Sequence, residues 1–248
     1  MTGAARERGI GRGIAQCLAD EGCDVAINDV GAEAEAAALV AELQGSGRGA
    51  GFYPADVSDR AAVDEMVAAV ESELGPIDIV CSNAGIADWQ GFLDVTEESF
   101  DRLVAVNLTG AFNVCQAVAG AMIAGRRPGK IVVTSSVHVQ MPFGEMSVYG
   151  ATKAGLKGLV ETMAVELAPH GITVNHIGPG WVRSFINDSS PSLQTEEEVR
   201  ETLKLIPAGR PAEPKELGRA AVYLCTSDGD YVTGEYLRVD GGFVVGKY

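Results

Sequence analysis

Short apolar runs alternate along this chain with longer stretches in which apolar residues recur every three or four positions. Residues 24–29 read as a strand and the Ala/Glu-rich 31–44 as a helix. Residues 51–56 read as a strand edge, followed by a helix from 58 to about 74 with Ser58 as its N-cap. Residues 77–82 form the next predicted strand, and 96–124 read as mostly helical, with Thr96 followed three residues later by Ser99. Strand 130–135, helix 147–169, strand 172–177, an irregular stretch 179–211, helix 213–226 and strand 235–239 complete the pattern. This strand–helix rhythm predicts an α/β fold: one parallel sheet covered by helices on both faces. No internal repeat, linker or second-domain boundary interrupts it, so 1–248 is expected to be a single domain.

In such sheets ligands bind beyond the carboxyl ends of the strands. Asp29, Asp56, Asn83 and Ser136 each follow a predicted strand and share that end. Tyr149 and Lys153 stand four residues apart on a predicted helix, one turn from each other on one face. A nearby cation favours phenolate, so Lys153 is expected to lower the Tyr149 pKa and make it an acid or base near neutral pH. Ser136, arriving from a strand end, can hold a carbonyl or hydroxyl oxygen. Proton transfer at a substrate oxygen then calls for a hydride from elsewhere, which implies a redox cofactor. Thr2 to Gly13 is a glycine-rich loop opening a helix expected over 14–21, a cradle suited to a pyrophosphate. Asp29 can accept hydrogen bonds from an adenosine ribose and would repel a 2′-phosphate, favouring NAD over NADP. Arg6, Arg8 and Arg12 pull the other way, since any of them could pair with that phosphate.

Composition narrows the partners. Asp and Glu total 34 against 19 Lys and Arg, a net charge of −15. Long-range repulsion then disfavours nucleic acid and anionic membranes. The five cysteines form no CxxC and read as reduced thiols of a cytoplasmic protein. The three histidines show no metal-ligand spacing, and no apolar run reaches the length of a membrane span.

Taken together, Thr2-Gly3…Gly9-Ile10-Gly11, Asp56-Val57, Asn83-Ala84-Gly85, Asn107, Ser136, Tyr149-x-x-x-Lys153 and Pro179-Gly180 resemble the short-chain dehydrogenase/reductases over essentially the whole chain. The resemblance implies a single-domain Rossmann-type, doubly wound parallel sheet. It implies Tyr149 as general acid/base, Lys153 as the group that lowers its pKa and binds the nicotinamide ribose, and Ser136 as the anchor of the substrate oxygen. It gives Asn107 a helix kink and a proton-relay water, Asp56 and Val57 adenine contacts, and the Asn83-Ala84-Gly85 turn an adenosine-ribose contact. Pro179, Gly180, Val182 and Ser184 are implied at the nicotinamide amide, with Ser184 where threonine is more usual. Gly3, Gly9, Ile10 and Gly11 are implied at the phosphates. Family members are dimers or tetramers paired through the helices of 96–124 and 147–169.

This chain departs from the family pattern in two places. The glycine loop has five residues between Thr-Gly and Gly-x-Gly where the family has three, with Glu7-Arg8 as the apparent insertion. The family's first strand, about six apolar residues before Thr-Gly, is absent, since only Met1 precedes Thr2. Losing five or six buried side chains at ~1.5–3 kcal/mol each would cost roughly ten kcal/mol. The expectation is that Met1 is a GTG valine codon read as an initiator, which the intact mass of protein from the native locus would test.

Substrate specificity is expected in loops 87–90, 138–146 and about 181–211, with 185–206 as a lid. Polar groups (His138, Gln140, Glu145, Asn187) mix there with Trp89, Phe143, Met146 and Trp181. His138, Trp181, Ser136 and Tyr149 are the candidate substrate contacts. The charge run 196–198 is expected to be a solvated helix N-terminus rather than a site. The resulting expectation is an NAD-dependent oxidoreductase, with NADP as the alternative cofactor, acting on a small polar ketone or alcohol such as a sugar or polyol. A 3-oxoacyl-carrier-protein reductase using NADPH is the second reading, with Arg126, Arg127 and Lys130 as its docking patch. A non-catalytic nucleotide-binding protein is the third.

Overall fold

The computed structural model describes residues 1–188 and 190–246; Ser189, inside the expected substrate loop, and the last two residues of the expected domain lie outside them. All strand pairings are parallel. Strands β1 (Val25–Ile27) and β2 (Ala50–Phe52) form one ladder, and β3 (Ile79–Ser82), β4 (Gly129–Thr134), β5 (Ile172–Pro179) and β6 (Tyr236–Val239) form the other. Between them lies the start of the chain. The Met1 ammonium donates to the Ala26 carbonyl (3.0 Å), Asn28 N donates to Met1 O (2.9 Å), and Thr2 N donates to Cys81 O (3.2 Å). Residues 1–4 therefore bridge β1 and β3 at the carboxyl ends of the strands, in the place where the first strand was expected. Burial lowers the pKa of that ammonium.

Burial on both faces explains the near-continuous apolar runs. Along β4, Ile131 and Val133 pack with Val114, Val118 and Met122 of α5 (Gly110–Ala124) and Leu156 and Val160 of α6 (Ser147–Leu167). Val132 points the other way, into a core with Ile14 and Leu18 of α1 (Ile10–Asp20) and Leu217 and Leu224 of α8 (Pro214–Cys225). Helices α1 and α8 meet backbone to backbone: a Cβ on Gly13 would sit 2.5 Å from the Pro214 carbonyl carbon, and one on Gly218 would sit 2.5 Å from Gly13 O. Helix α2 (Glu33–Gly45) covers β1 through Ala36 and Leu39, against Val25 and Ile27.

Several boundaries differ from expectation for local reasons. Helix α3 (Arg60–Glu73) is capped by Asp59, which accepts from Ala61 N and Ala62 N; Ser58 instead donates its hydroxyl to Asp56 Oδ1 (2.7 Å). Helix α1 starts at Ile10, four residues earlier than expected, on a Gly9 N-cap in extended conformation. The expected 96–124 helix is α4 (Glu97–Val104), a π-helical turn over Ala105–Thr109, and α5. By length and composition Glu97–Ala124 could span a membrane, contrary to the sequence expectation, but half of its most apolar 18-residue stretch is buried inside the protein. The irregular 179–211 region contains helix α7 (Glu196–Lys204), closed at its start by a Thr195/Glu198 capping box.

Candidate active site

Ser136 follows β4 by two residues, buried and extended, with its Oγ accepting from His138 N (3.3 Å). Tyr149 lies in the first turn of α6, and its phenol interacts with the Ser136 side chain. Lys153, one turn later and buried, sends its Nζ to the Thr134 carbonyl (3.0 Å), at the end of the strand that carries Ser136. The same ammonium sits 5.5 Å from the centre of the Tyr149 ring. Burial pushes the Tyr149 phenol up to about 12, and the Ser136 side chain pulls against that rise. Lys153 is itself pushed down to about 8 by burial. A lysine one turn away is near the ring, but its ammonium points to a backbone oxygen.

Asn107 occupies the π-turn between α4 and α5, where the extra residue turns its side chain inward. Its Oδ1 accepts from Ile86 N (2.8 Å), and its Nδ2 donates to Ile86 O (2.9 Å) and to Thr152 Oγ1 (3.3 Å). It thus ties the turn after β3 to α6, one residue from Lys153. His138 stacks at 4.5 Å on Phe143 and meets Tyr149 edge-on at 5.0 Å. Burial, helped by the Lys153 charge, lowers it to about 4, so the imidazole is neutral at physiological pH.

A cavity of about 1250 Å³ opens over these groups. Ser136, His138, Tyr149, Lys153 and Trp181 line it, as do Gly3, Ile10, Asp29, Asp56, Val57, Asn83, Ala84 and Gly85. Pro179, Gly180, Val182 and Ser184 complete the wall. The Asp29 carboxylate accepts from Ala5 N (3.0 Å) and Val30 N (2.9 Å), which hold it at the end of β1. Asn83 Nδ2 donates to Gly3 O (2.9 Å) and Thr2 O (3.2 Å), so that turn fastens the glycine loop. Gly3 has φ +59°, and a Cβ there would sit 2.7 Å from Ala84 Cα. Gly9 and Gly11 are not among the lining residues. Gly11 instead packs on the loop, where a Cβ would sit 2.3 Å from Gly3 O.

Other expectations need revision. Arg8 pairs with Asp188, and Arg12 with Glu42 (3.2 Å) while also bonding Ala5 O, so of the three loop arginines Arg6 alone lines the cavity. Gln140 lies outside the wall and accepts from Arg238 (2.8 Å). The charge run does begin a helix, but Glu197, Glu198 and Glu201 of α7 reach the cavity, as do Thr202 and Leu205. Residues 198, 201, 202 and 205 share one helix face, which was the available sequence signal. Thr134, which holds Lys153, had no signal because only its backbone oxygen is used.

The residues fit a nicotinamide dinucleotide. The buried Ser184 Oγ lines the cavity without a hydrogen-bond partner among the described residues, a group suited to an amide, and the Asp29 carboxylate suits a ribose diol. A family model described as enoyl-(acyl carrier protein) reductase matches residues 3–244. A short-chain dehydrogenase/reductase of Armillaria gallica is 37% identical over 252 residues, covering 98% of this chain and 94% of its own. The chain belongs to the short-chain dehydrogenase/reductase family. As a short-chain dehydrogenase/reductase it is an NAD(P)-binding oxidoreductase acting on CH–OH donors. It is similar to a sorbitol dehydrogenase of Cereibacter sphaeroides, 38% identical over 249 residues, covering 98% of this chain and 95% of that one. Among solved structures it is similar to a gluconate 5-dehydrogenase from Burkholderia cenocepacia in complex with NADP and tartrate. That match has a TM-score of 0.90 at 34% identity and covers 98% of this chain and 92% of that one.

Proposed function

We propose that this short-chain dehydrogenase/reductase uses NAD to oxidise a small polar secondary alcohol, a sugar or polyol, and reduces the matching ketone in reverse. The observation that carries the reading is one cavity lined by Ser136, Tyr149 and Lys153 together with Asp29. Bound NAD supplies the hydride acceptor for the carbinol carbon. Tyr149 Oη takes the hydroxyl proton during oxidation and returns it during reduction. Ser136 Oγ holds the substrate oxygen within reach of that phenol. Lys153, positive at pH 7, holds ribose hydroxyls and adds positive charge beside the ring. Asn107 fixes the turn at Ile86 and the helix at Thr152. NAD is favoured because Asp29 repels a 2′-phosphate, while Arg8 and Arg12 are already paired with carboxylates and Arg6, the loop arginine at the cavity, lies over the Phe185 ring.

A polar substrate suits the wall, where neutral His138, Glu145 and Asn187 alternate with Trp89, Phe143 and Trp181. The acyl-carrier reading is weaker on charge: Arg127 pairs with Glu71 (2.7 Å) and Lys130 with Asp230 (2.7 Å), so two of the three residues of the expected docking patch are compensated. We also propose a homodimer or homotetramer. Phe100 and Phe112 are exposed, and Gly120 and Gly158 have open space where a side chain would be. Five free thiols, with Cys81 and Cys225 sulfurs 4.0 Å apart, suit the reducing cytoplasm.

Steady-state rates with NAD and NADP on a panel of sugars, polyols, sugar acids and acetoacetyl thioester test the reading. We expect polyhydroxylated alcohols with NAD to give the highest kcat/KM. Tyr149→Phe should lose roughly 10²–10⁴-fold in kcat while binding cofactor normally. Highest turnover with the thioester and NADPH would overturn the reading.

A further inference from the structure

Strand β6 reaches the Ser136 peptide through the side chain of Tyr236. Tyr236 Oη donates to the Ser136 carbonyl at 2.9 Å, across 100 residues of sequence. To get there the phenol crosses β5 at Gly178, where a Cβ would lie 2.2 Å from Tyr236 Oη and 2.3 Å from two ring carbons. Any other residue at 178 would close the passage. The ring also packs against His176, its register partner on β5, at 4.8 Å between centres. His176 is fully buried, and among the described residues neither ring nitrogen has a hydrogen-bond partner, so it serves the ring as a neutral, apolar-like wall.

The Ser136 carbonyl also accepts from Val139 N (3.2 Å), and its hydroxyl accepts from His138 N (3.3 Å). Both of those bonds lie within the 3₁₀ turn Val137–Val139 and move with it. The sheet ladder ends one residue earlier, where Ser135 N donates to Ile177 O (2.8 Å). Tyr236 therefore ties the Ser136 peptide itself to β6, while Arg238 of the same strand holds the end of the turn by donating to Gln140 Oε1 (2.8 Å).

We infer that Tyr236 is a positioning residue for Ser136, and that Gly178 is glycine to let its phenol through. The inference deepens the dehydrogenase reading and rests on Ser136 serving the substrate oxygen and Tyr149. Loss of the bond lets Ser136 drift from Tyr149, whose pKa it lowers. Lys153 from the same helix and His138 from the turn after β4 also face Tyr149, and neither is altered.

The test uses Tyr236→Phe, Gly178→Ala and the double variant in the full-length enzyme. Each single change should lower kcat roughly tenfold, leave the cofactor Kd within twofold, and raise the apparent pKa of the kcat/KM profile. The double variant should lose no more than the worse single one, because both remove the same bond. In parallel, the Tyr149 ring is titrated by NMR of 13C-tyrosine-labelled protein, with its signal assigned by its loss in Tyr149→Phe. Its pKa should rise in Tyr236→Phe. An unchanged Tyr149 pKa, or losses that multiply in the double variant, would overturn the inference. A wild-type enzyme that oxidises nothing in the panel would sink the polyol reading alone, and the NMR titration would still decide the role of Tyr236.

Discussion

Replacing Lys153 with methionine should inactivate the enzyme and stabilise it at neutral pH. The side chain is 3% exposed, and its ammonium makes one described hydrogen bond, to Thr134 O at 3.0 Å. Burial lowers its pKa from 10.5 to about 8. Holding the charged form in the folded protein therefore costs about 3 kcal/mol relative to the unfolded chain, at ~1.36 kcal/mol per pH unit. The folded pKa is depressed, so this cost is complete below pH 8. It is relieved as the pH rises from about 8 to 10.5, because the folded state sheds its proton first. Methionine has similar volume and no charge to desolvate. It gives up the bond to Thr134 O, at ~1 kcal/mol. The net expectation at pH 7 is a gain of about 2 kcal/mol. Urea titrations of both proteins at pH 7, 8, 9 and 10 would read it, with retained cofactor binding in the wild type as the control for folding. The advantage should shrink steadily above pH 8 and reverse near pH 10. A variant less stable at pH 7, or a difference that does not change with pH, would refute the argument from desolvation.

Three further outcomes follow from the same contacts. Asp29→Asn removes the charge while keeping an acceptor for Ala5 N or Val30 N, and should cut the NAD-over-NADP preference in kcat/KM by roughly tenfold or more; an unchanged ratio would mean that Asp29 does not face the 2′ position. Asn107→Ala strips partners from both Ile86 N and Ile86 O and should cost about 2 kcal/mol in urea unfolding. A cost below about 0.5 kcal/mol would show that the π-turn needs no such tie. Glu201→Gln, on the α7 face that meets the cavity, should change KM for polyols while leaving the Kd for cofactor unchanged, and equal shifts in both would place α7 over the cofactor instead.

Sequence alone determined what is local or periodic. Alternating apolar runs and amphipathic stretches reported a parallel sheet buried on both faces, because a strand covered twice must be apolar throughout, as Ile131, Val132 and Val133 are. The spacing of Tyr149 and Lys153 placed them on one face of a helix, and strand ends gathered Asp29, Asp56, Asn83 and Ser136 around one cavity. Whole-chain motif order was enough to suggest the family. Partnerships across the sheet were decided by the tertiary structure, since they depend on register and on which of several nearby groups a flexible side chain meets. Lys153 chose the Thr134 carbonyl, Arg8 and Arg12 chose Asp188 and Glu42, and α7 folded its acidic face over the cavity. Nothing near Tyr236 in sequence points to Ser136. Only the packing of three adjacent strands, with a glycine in the middle one, brings that phenol to the catalytic serine.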